Sequence, residues 1–274
     1  MPKTSAINEK TVDFYSRFVI IIIVICFWRD NMITVKDYLV SEDKNEVYKA
    51  LKEMLPEDDY YMHYRLDGNV LDCCYDKYFA GLEDGKALSR LWMCWGKHSG
   101  SVANWGAFFT LPECRGRGVG REVLKYCFNT LDELPEPPTA LFCTAGTLEL
   151  TELYRKYGFV PALRGADRGP LYRPLGNSPA TFYEFYKNYY TPADTLYKKK
   201  ADFGYRNEID CLLKFAMLDM GLDFGIRSKM LYEILLEGKE TAEVLLTKDG
   251  KCVGWIYDGI TQLYPDYENA KIEE

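Results

Sequence analysis

A short turn rich in glycine and arginine constrains this chain more than any other feature. Residues 115–120 read Arg-Gly-Arg-Gly-Val-Gly, after an apolar run at 102–111 and before apolar residues at helical spacing. Glycines let successive backbone N–H groups converge because no Cβ obstructs them, and the start of the following helix adds partial positive charge. The turn therefore predicts a binding site for phosphate groups.

Two familiar phosphate-binding motifs fit this turn poorly. A dinucleotide-binding turn needs the spacing Gly-x-Gly-x-x-Gly, whereas Gly116, Gly118 and Gly120 alternate with other residues. An ATP-binding loop needs Gly-Lys-Ser/Thr, which the turn lacks. This motif alone does not distinguish a phosphate-binding turn from a surface turn whose arginines are solvated.

A second motif lies one predicted strand further along. Residues 153–159 read Leu-Tyr-Arg-Lys-Tyr-Gly-Phe, and residues 109–113 before the turn read Phe-Thr-Leu-Pro-Glu. Together these segments resemble the GNAT superfamily of N-acetyltransferases, whose Arg/Gln-x-x-Gly-x-Gly/Ala signature is matched by Arg115, Gly118 and Gly120. The resemblance covers roughly residues 32–175.

The resemblance implies an α/β fold with a GNAT-like mixed, largely antiparallel sheet flanked by helices. A C-terminal α+β extension follows a Gly-Asn-Ser-Pro segment at 176–179, a composition typical of a domain boundary. We expect an appendage at 1–31, an acetyltransferase domain at 32–176 and a C-terminal module at 177–274. Residues 242–264 of this module faintly echo residues 79–95, and a degenerate internal repeat is one interpretation.

The resemblance also implies roles for individual residues with acetyl-CoA as co-substrate. Backbone groups of one strand would pair with the pantetheine arm, and the turn would hold the pyrophosphate. Tyr154 would act as general acid toward the departing thiolate, because a phenol is protonated at neutral pH. The implied cofactor-binding residues are Phe108, Phe109, Thr110, Arg115, Gly116, Arg117, Gly118, Val119, Gly120 and Arg121.

The chain departs from the family pattern at two positions. Thr147 stands where many relatives have a cofactor-contacting Asn, and Asn104 where some have a Glu base. The sequence offers no clear general base: one of Glu57, Asp58 and Asp59 could serve, although a solvated loop is the preferred interpretation. We interpret His63 and His98 as surface residues, and Cys114 and Cys143 as small core residues.

We therefore predict an N-acetyltransferase that transfers the acetyl group of acetyl-CoA to a primary amine by direct attack. The acceptor would be a small-molecule or peptide amine. The alternatives are a non-catalytic acyl-CoA-binding or regulatory protein and an enzyme for another acyl group. Aromatic residues at 182–190 and five carboxylates of the C-terminal module suit a cationic acceptor, although packing is the preferred role for most of the rings. The carboxylates are Asp202, Glu208, Asp210, Asp219 and Asp223.

Composition excludes some classes of partner. The formal net charge is −7 and no long basic run occurs, so nucleic acid is not expected. The chain has nine cysteines and two histidines without Cys-x-x-Cys spacing, which predicts no metal site and reduced thiols in a cytoplasm. A homodimer is compatible with the sequence.

The N-terminal segment carries an apolar run at 18–28, shorter than the roughly 20 residues that span a bilayer. We expect no stable membrane association. A start-site artefact or peripheral appendage is the preferred interpretation of residues 1–31, ahead of a buried strand.

Overall fold

The computed structural model describes residues 33–55, 60–134, 136–238 and 241–274. The expected appendage at 1–31 and the carboxylates Glu57, Asp58 and Asp59 lie outside these residues. Seven strands form the larger of two sheets: β1 Thr34–Leu39, β2 Cys74–Glu83, β3 Lys86–Gly96, β4 Ala103–Thr110, β5 Ala140–Ala145, β6 Val160–Pro161 and β7 Gly169–Pro174.

The larger sheet has the strand order β1-β2-β3-β4-β5-β7-β6. All neighbouring strands pair antiparallel except β4 and β5, which run parallel. A tight turn at Asp84 and Gly85 joins β2 to β3, with positive φ at both residues as the sequence pattern indicates. The expected mixed, largely antiparallel sheet is confirmed.

Helices cover both faces of this sheet: α1 Val40–Leu51, α2 Tyr60–Leu66, α3 Val119–Thr130 and α4 Leu148–Arg155. Side chains from α1 and α2 pack with Tyr78 and Trp92 on one face. Side chains from α3 and α4 pack with Phe79 and Trp105 on the other. The sheet is thus the central layer of three, as its two apolar faces require.

Two local details concern the first helix and the central strand. α1 follows β1 directly after Leu39 and has no side-chain cap, and Ser41 lies inside this helix. The second half of β4 is only partly buried, although residues 102–111 form an apolar run. The reason is that β4 loses its neighbour β5 part-way along.

The C-terminal module contains the second sheet and three short α-helices. Its strands are β8 Thr195–Lys200, β9 Ala242–Leu246, β10 Cys252–Tyr257, β11 Ile260–Leu263 and β12 Lys271–Glu273. Its helices are α5 Phe182–Tyr189, α6 Lys214–Asp219 and α7 Ser228–Leu231, with π-helical turns at Glu208–Leu213 and Tyr232–Leu236. The lysine-rich strand β8 was not predicted, because TLYKKK lacks an apolar pattern.

The module repeats the topology of the first half of the larger sheet. β8 is followed by helices and then by β9, β10 and β11, in the spatial order β8-β9-β10-β11. The N-terminal part runs β1, helices, and then β2, β3 and β4 in the corresponding order. This topology supports the interpretation of the sequence echo as a degenerate internal repeat.

One apolar cluster joins the two sheets. Phe142 and Tyr172 of the larger sheet pack with Phe182, Phe185 and Phe215 of the module. Most rings at 182–190 are therefore packing residues, in agreement with the preferred interpretation. Among the described residues, no helix is long and apolar enough to cross a membrane.

Candidate active site

The larger sheet opens between β4 and β5. The two strands pair only at Ala103 with Leu141 and at Asn104 with Phe142. Beyond this point β4 continues to Thr110 without a ladder partner in β5. The edge of β4 that faces β5 therefore offers backbone N–H and C=O groups to an extended ligand arm.

A β-bulge lies in the middle of this open stretch. Between the pairs Arg90–Phe109 and Trp92–Gly106, two residues of β4 stand opposite Leu91. Ala107 takes a positive φ of 47°, and its carbonyl oxygen accepts a hydrogen bond of 2.8 Å from Nη1 of Arg90. A bulge of this kind bends the strand, and here it lies just beyond the point where β4 leaves β5.

The glycine-rich turn lies at the end of β4 and leads into α3. Gly116 and Gly118 both have positive φ, and Gly118 is the N-cap of the helix. The backbone N–H groups of residues 116–121 have no hydrogen-bond partner within the described part of the chain. Unsatisfied N–H groups at a helix start form an anion-binding concavity, so the geometry fits a pyrophosphate.

Gly120 has a different role from the other two glycines. A Cβ placed on Gly120 would lie 2.8 Å from both Cζ of Phe108 and Oγ1 of Thr110. This glycine allows α3 to begin directly against β4. It therefore fixes the distance between the turn and the open strand edge.

The three arginines of the turn are not equivalent. Arg117 pairs with Glu83, and Nε of Arg115 donates to the carbonyl oxygen of Thr110 at 3.3 Å. The side chain of Arg121 is 75% exposed and lies 3.7 Å from Glu122. Arg121 is thus the arginine with most freedom to reach a bound phosphate.

Tyr154 is buried on α4 and packs in one cluster with Trp105 of β4 and Cys143 of β5. Its ring meets the indole of Trp105 edge to face at 4.9 Å. Burial raises the pKa of the phenol, and the neighbouring Cys143 thiol adds to this effect. The hydroxyl is therefore protonated at neutral pH, as a proton donor must be.

Other residues singled out from the sequence have structural partners. Thr147 caps α4 by accepting a hydrogen bond from the Leu150 amide at 3.3 Å. Cys114 and Cys143 are buried, and burial raises the pKa of Cys143, so its thiol stays protonated. His63 lies on α2 near Tyr48, with their ring centroids 6.4 Å apart.

A cavity of about 270 Å³ occupies the opening between β4 and β5. One side is formed by these two strands, including Asn104, Ala107 and Thr144. The C-terminal module forms the other side with its π-helical turn at Glu208–Leu213, the residues that flank this turn, and one residue of α7. These module residues are Arg206, Asp210, Cys211, Lys214, Phe215 and Ser228.

Comparison with known families bears on the same part of the chain. Residues 75–161 match the sequence model described as "Acetyltransferase (GNAT) domain". This range includes the opening, the glycine-rich turn and Tyr154. The chain carries a GNAT acetyltransferase domain. Acyl transfer is therefore the reaction class to which its sequence assigns it.

Several solved structures are similar to the GNAT domain of this chain. An acyl-CoA N-acyltransferase from Pseudomonas aeruginosa is 18% identical, with a TM-score of 0.40 over 52% of this chain and 99% of that one. A GNAT family N-acetyltransferase from Escherichia coli in complex with CoA is 14% identical, with a TM-score of 0.37 over 54% of this chain and 83% of that one.

A third similarity extends beyond the GNAT domain. A conserved protein and probable N-acyltransferase from Enterococcus faecalis is 12% identical, with a TM-score of 0.41 over 87% of this chain and 60% of that one. No curated protein sequence matches the chain.

The polar cluster that faces the GNAT domain across the cavity centres on Asp210. Its carboxylate contacts Nη2 of Arg206 at 3.0 Å, Oγ of Ser228 at 2.9 Å and the ammonium group of Lys214. Burial alone would raise the pKa of Asp210, but the charges of Arg206 and Lys214 outweigh it, so the pKa lies below its usual value. Asp210 is thus ionised and a poor general base.

This cluster was missed from the sequence, apart from Asp210 itself. Arg206, Asp210 and Lys214 follow one another at intervals of four, with alternating charge. Such spacing places side chains on one helical face. This spacing is the feature of the sequence from which the cluster could have been predicted. The placement of that face against the opening depends on contacts distant in sequence.

The other carboxylates of the module also have partners. Asp202 accepts from the Gly204 amide, Asp223 accepts from the Gly225 amide, and Asp219 accepts from Arg164. Oε1 of the buried Glu208 accepts from the Val102 amide and lies 3.1 Å from Nε2 of His98. His98 was interpreted as a surface residue; it is instead largely buried against the module.

Proposed function

We propose that the chain transfers the acetyl group of acetyl-CoA to a primary amine. The observation that carries this proposal is the set of partnerless amides at residues 116–121, directly beyond the unpaired edge of β4. The turn has the charge and geometry for a pyrophosphate, and the strand edge suits a pantetheine arm. Phe108, Phe109 and Thr110 would supply the backbone contacts of that arm.

The reaction follows from placing both substrates in the opening of the sheet. The neutral amine nitrogen attacks the thioester carbonyl carbon, a C–N bond forms, and the C–S bond breaks. Backbone N–H groups near the bulge at Ala107 would polarise the carbonyl oxygen. Holding the reactants together supplies most of the remaining acceleration.

Two protons must move during this reaction. Tyr154 would donate its phenolic proton to the departing thiolate, since burial keeps that phenol protonated. The amine loses its proton to water, because Asp210 is held ionised by its two cationic neighbours and is a weak base. Tyr154 then regains a proton from solvent.

A non-catalytic acyl-CoA-binding protein is the main competing function. The two are distinguished by measuring the free thiol released from acetyl-CoA in the presence of a panel of primary amines. An acetyltransferase gives amine-dependent release above the rate of hydrolysis. A binding protein gives calorimetric binding of acetyl-CoA without such release.

We further propose that residues 32–176 act as the transferase domain and residues 177–274 as the module that borders the acceptor. The eight cysteines in the described part of the chain are free thiols, which supports a reducing, cytoplasmic environment. No group of three or more His, Cys, Asp or Glu side chains within the described residues could hold a metal ion.

A further inference from the structure

We propose that the cavity between β4, β5 and the C-terminal module takes an amine acceptor that also carries a carboxylate. This inference rests on the proposed function and names the class of acceptor. Its basis is the charge and the hydrogen-bonding capacity of the residues that line the cavity.

The charged lining of the cavity is positive overall. Three charged residues contribute to it, and two of them, Arg206 and Lys214, are cationic. The third, Asp210, is anionic because the two cations stabilise its charged form. Two positive charges and one negative charge leave one excess positive charge in a cavity of about 270 Å³.

The oxygens of Asp210 are already used. Oδ1 accepts from the ammonium group of Lys214, and Oδ2 accepts from Arg206 at 3.0 Å. The hydroxyl of Ser228 lies 2.9 Å from both oxygens. Asp210 therefore has little capacity left to receive a hydrogen bond from a cationic ligand.

Hydrogen-bond donors, in contrast, are in surplus. An ammonium group has three N–H donors, and Lys214 directs two of them at Asp210 and at Oγ of Ser228, 3.4 Å away. Nη1 of Arg206 donates to Asn207, while its buried Nε has no partner within the described part of the chain. A ligand that accepts hydrogen bonds and carries negative charge complements this lining.

A carboxylate meets both requirements, since charge-assisted hydrogen bonds to ammonium and guanidinium groups are the strong ones. The excess positive charge also disfavours the protonated form of a nearby amine. It thereby raises the share of neutral amine, the form that attacks, without a dedicated base. A volume of about 270 Å³ limits the enclosed part of the acceptor to the size of an amino acid.

This acceptor class differs from the cationic amine that the rings and carboxylates of the module suggest from the sequence. Phe182, Phe185 and Tyr186 pack in the core rather than around a ligand. The five carboxylates of the module all have protein partners. Of these carboxylates Asp210 lines the cavity, and its oxygens already accept from Lys214 and Arg206, so the lining offers no unengaged carboxylate to a cationic group.

The wild-type protein tests the inference directly. Thiol release from acetyl-CoA is measured with sets of three matched acceptors: an α-amino acid, its amide and its decarboxylated amine, for example L-leucine, L-leucinamide and isoamylamine. In the set whose amino acid is the best acceptor, we expect kcat/KM for the amino acid to exceed that of its amide and of its decarboxylated amine by about 10- to 100-fold. Equal or higher kcat/KM for the partners that lack the carboxylate, in every set, would overturn the inference.

Variants at Lys214 test whether the cavity lining binds the carboxylate of the acceptor. Lys214→Met should raise KM for the carboxylate-bearing acceptor by about 10- to 100-fold while the Kd of acetyl-CoA stays unchanged. Lys214→Arg should restore most of the affinity because it keeps the charge. Lys229→Met is the matched control, since Lys229 lies on α7 beside Ser228 but is 76% exposed. Weaker acetyl-CoA binding in Lys214→Met, with the acceptor preference intact, would assign the cluster to the cofactor and contradict the inference.

The acetyltransferase function and the acceptor class are contradicted by different results. If amines are acetylated but the carboxylate makes no difference, the acceptor class is wrong and the acetyltransferase function stands. If no amine in the panel is acetylated, the proposed function is wrong and the acceptor class falls with it.

Discussion

Tyr154 and Thr147 show how far a residue's type reveals its task. Tyr154 follows from a family motif, and its environment beside Trp105 and Cys143 keeps the phenol protonated. Thr147 departs from the family pattern, and its hydroxyl caps α4. A helix cap explains this threonine without any contact to a cofactor.

The role of Tyr154 can be tested by removing one atom. Tyr154→Phe should lower kcat at least about tenfold, because a general acid contributes roughly 100- to 10,000-fold, and leave the Kd of acetyl-CoA unchanged. Steady-state kinetics and calorimetry measure the two quantities. Tyr157→Phe on the same segment is the control, and wild-type turnover in Tyr154→Phe would make Tyr154 a packing residue.

His98 makes a pH-dependent contact with the module. Burial alone would lower its pKa, but the hydrogen bond and charge of Glu208 outweigh burial and raise the pKa above its usual value. A raised pKa means that protonated His98 stabilises the fold fully below about pH 6.5, and that this contribution is lost as the pH rises through the folded-state value.

The measurement is the melting temperature of the wild type and of His98→Gln across the pH range. The difference between the two melting temperatures should be largest at about pH 5.5 and should shrink toward about pH 9. A difference that does not depend on pH would mean that His98 is neutral in the folded protein.

The glycine-rich turn acts together with α3 and β4. The sequence predicted the turn, the strand before it and the helix after it, because glycine positions and apolar spacing are local signals. It did not predict that Gly120 packs against Phe108 and Thr110. It also could not show which arginine is engaged, since the pairing of Arg117 with Glu83 joins distant residues.

Arg121 should therefore contribute more to phosphate binding than its neighbours on α3. We expect Arg121→Ala to weaken acetyl-CoA binding about 5- to 30-fold, the effect of losing one charge-assisted contact. Lys125→Ala is the matched control, because Lys125 is exposed one turn further along the same helix. Calorimetry at two salt concentrations should show a weaker salt dependence in Arg121→Ala. Equal affinity in the two variants would place the phosphates elsewhere.

The whole molecule has two sheets that share an apolar core. Phe142 and Tyr172 are buried by residues of the module, and Nδ2 of Asn207 donates to the carbonyl oxygens of Cys94 and Val102. The composition of residues 176–179 indicated a boundary, and the sequence predicted an α+β extension beyond it. They could not indicate this interface, because its apolar residues have the same local pattern whichever partner they face.

Removal of the module should destabilise the transferase sheet. A chain that ends at Leu175 exposes Phe142, Ala140 and Tyr172, so we expect aggregation or a melting temperature many degrees lower. A chain that ends at Ala270 is the control, because β12 is a largely exposed edge strand. Calorimetric melting curves decide the matter, and an unchanged melting temperature after truncation at Leu175 would show that the two sheets fold independently.

The central claim is that an amine receives the acetyl group of acetyl-CoA at the opening of the larger sheet. The most direct test incubates the protein with isotopically labelled acetyl-CoA and amino-acid and amine acceptors, and follows products by mass spectrometry. We predict an acceptor that gains the labelled acetyl group in a one-to-one ratio with the thiol released. Labelled acetate as the sole product, with every acceptor unmodified, would contradict this account.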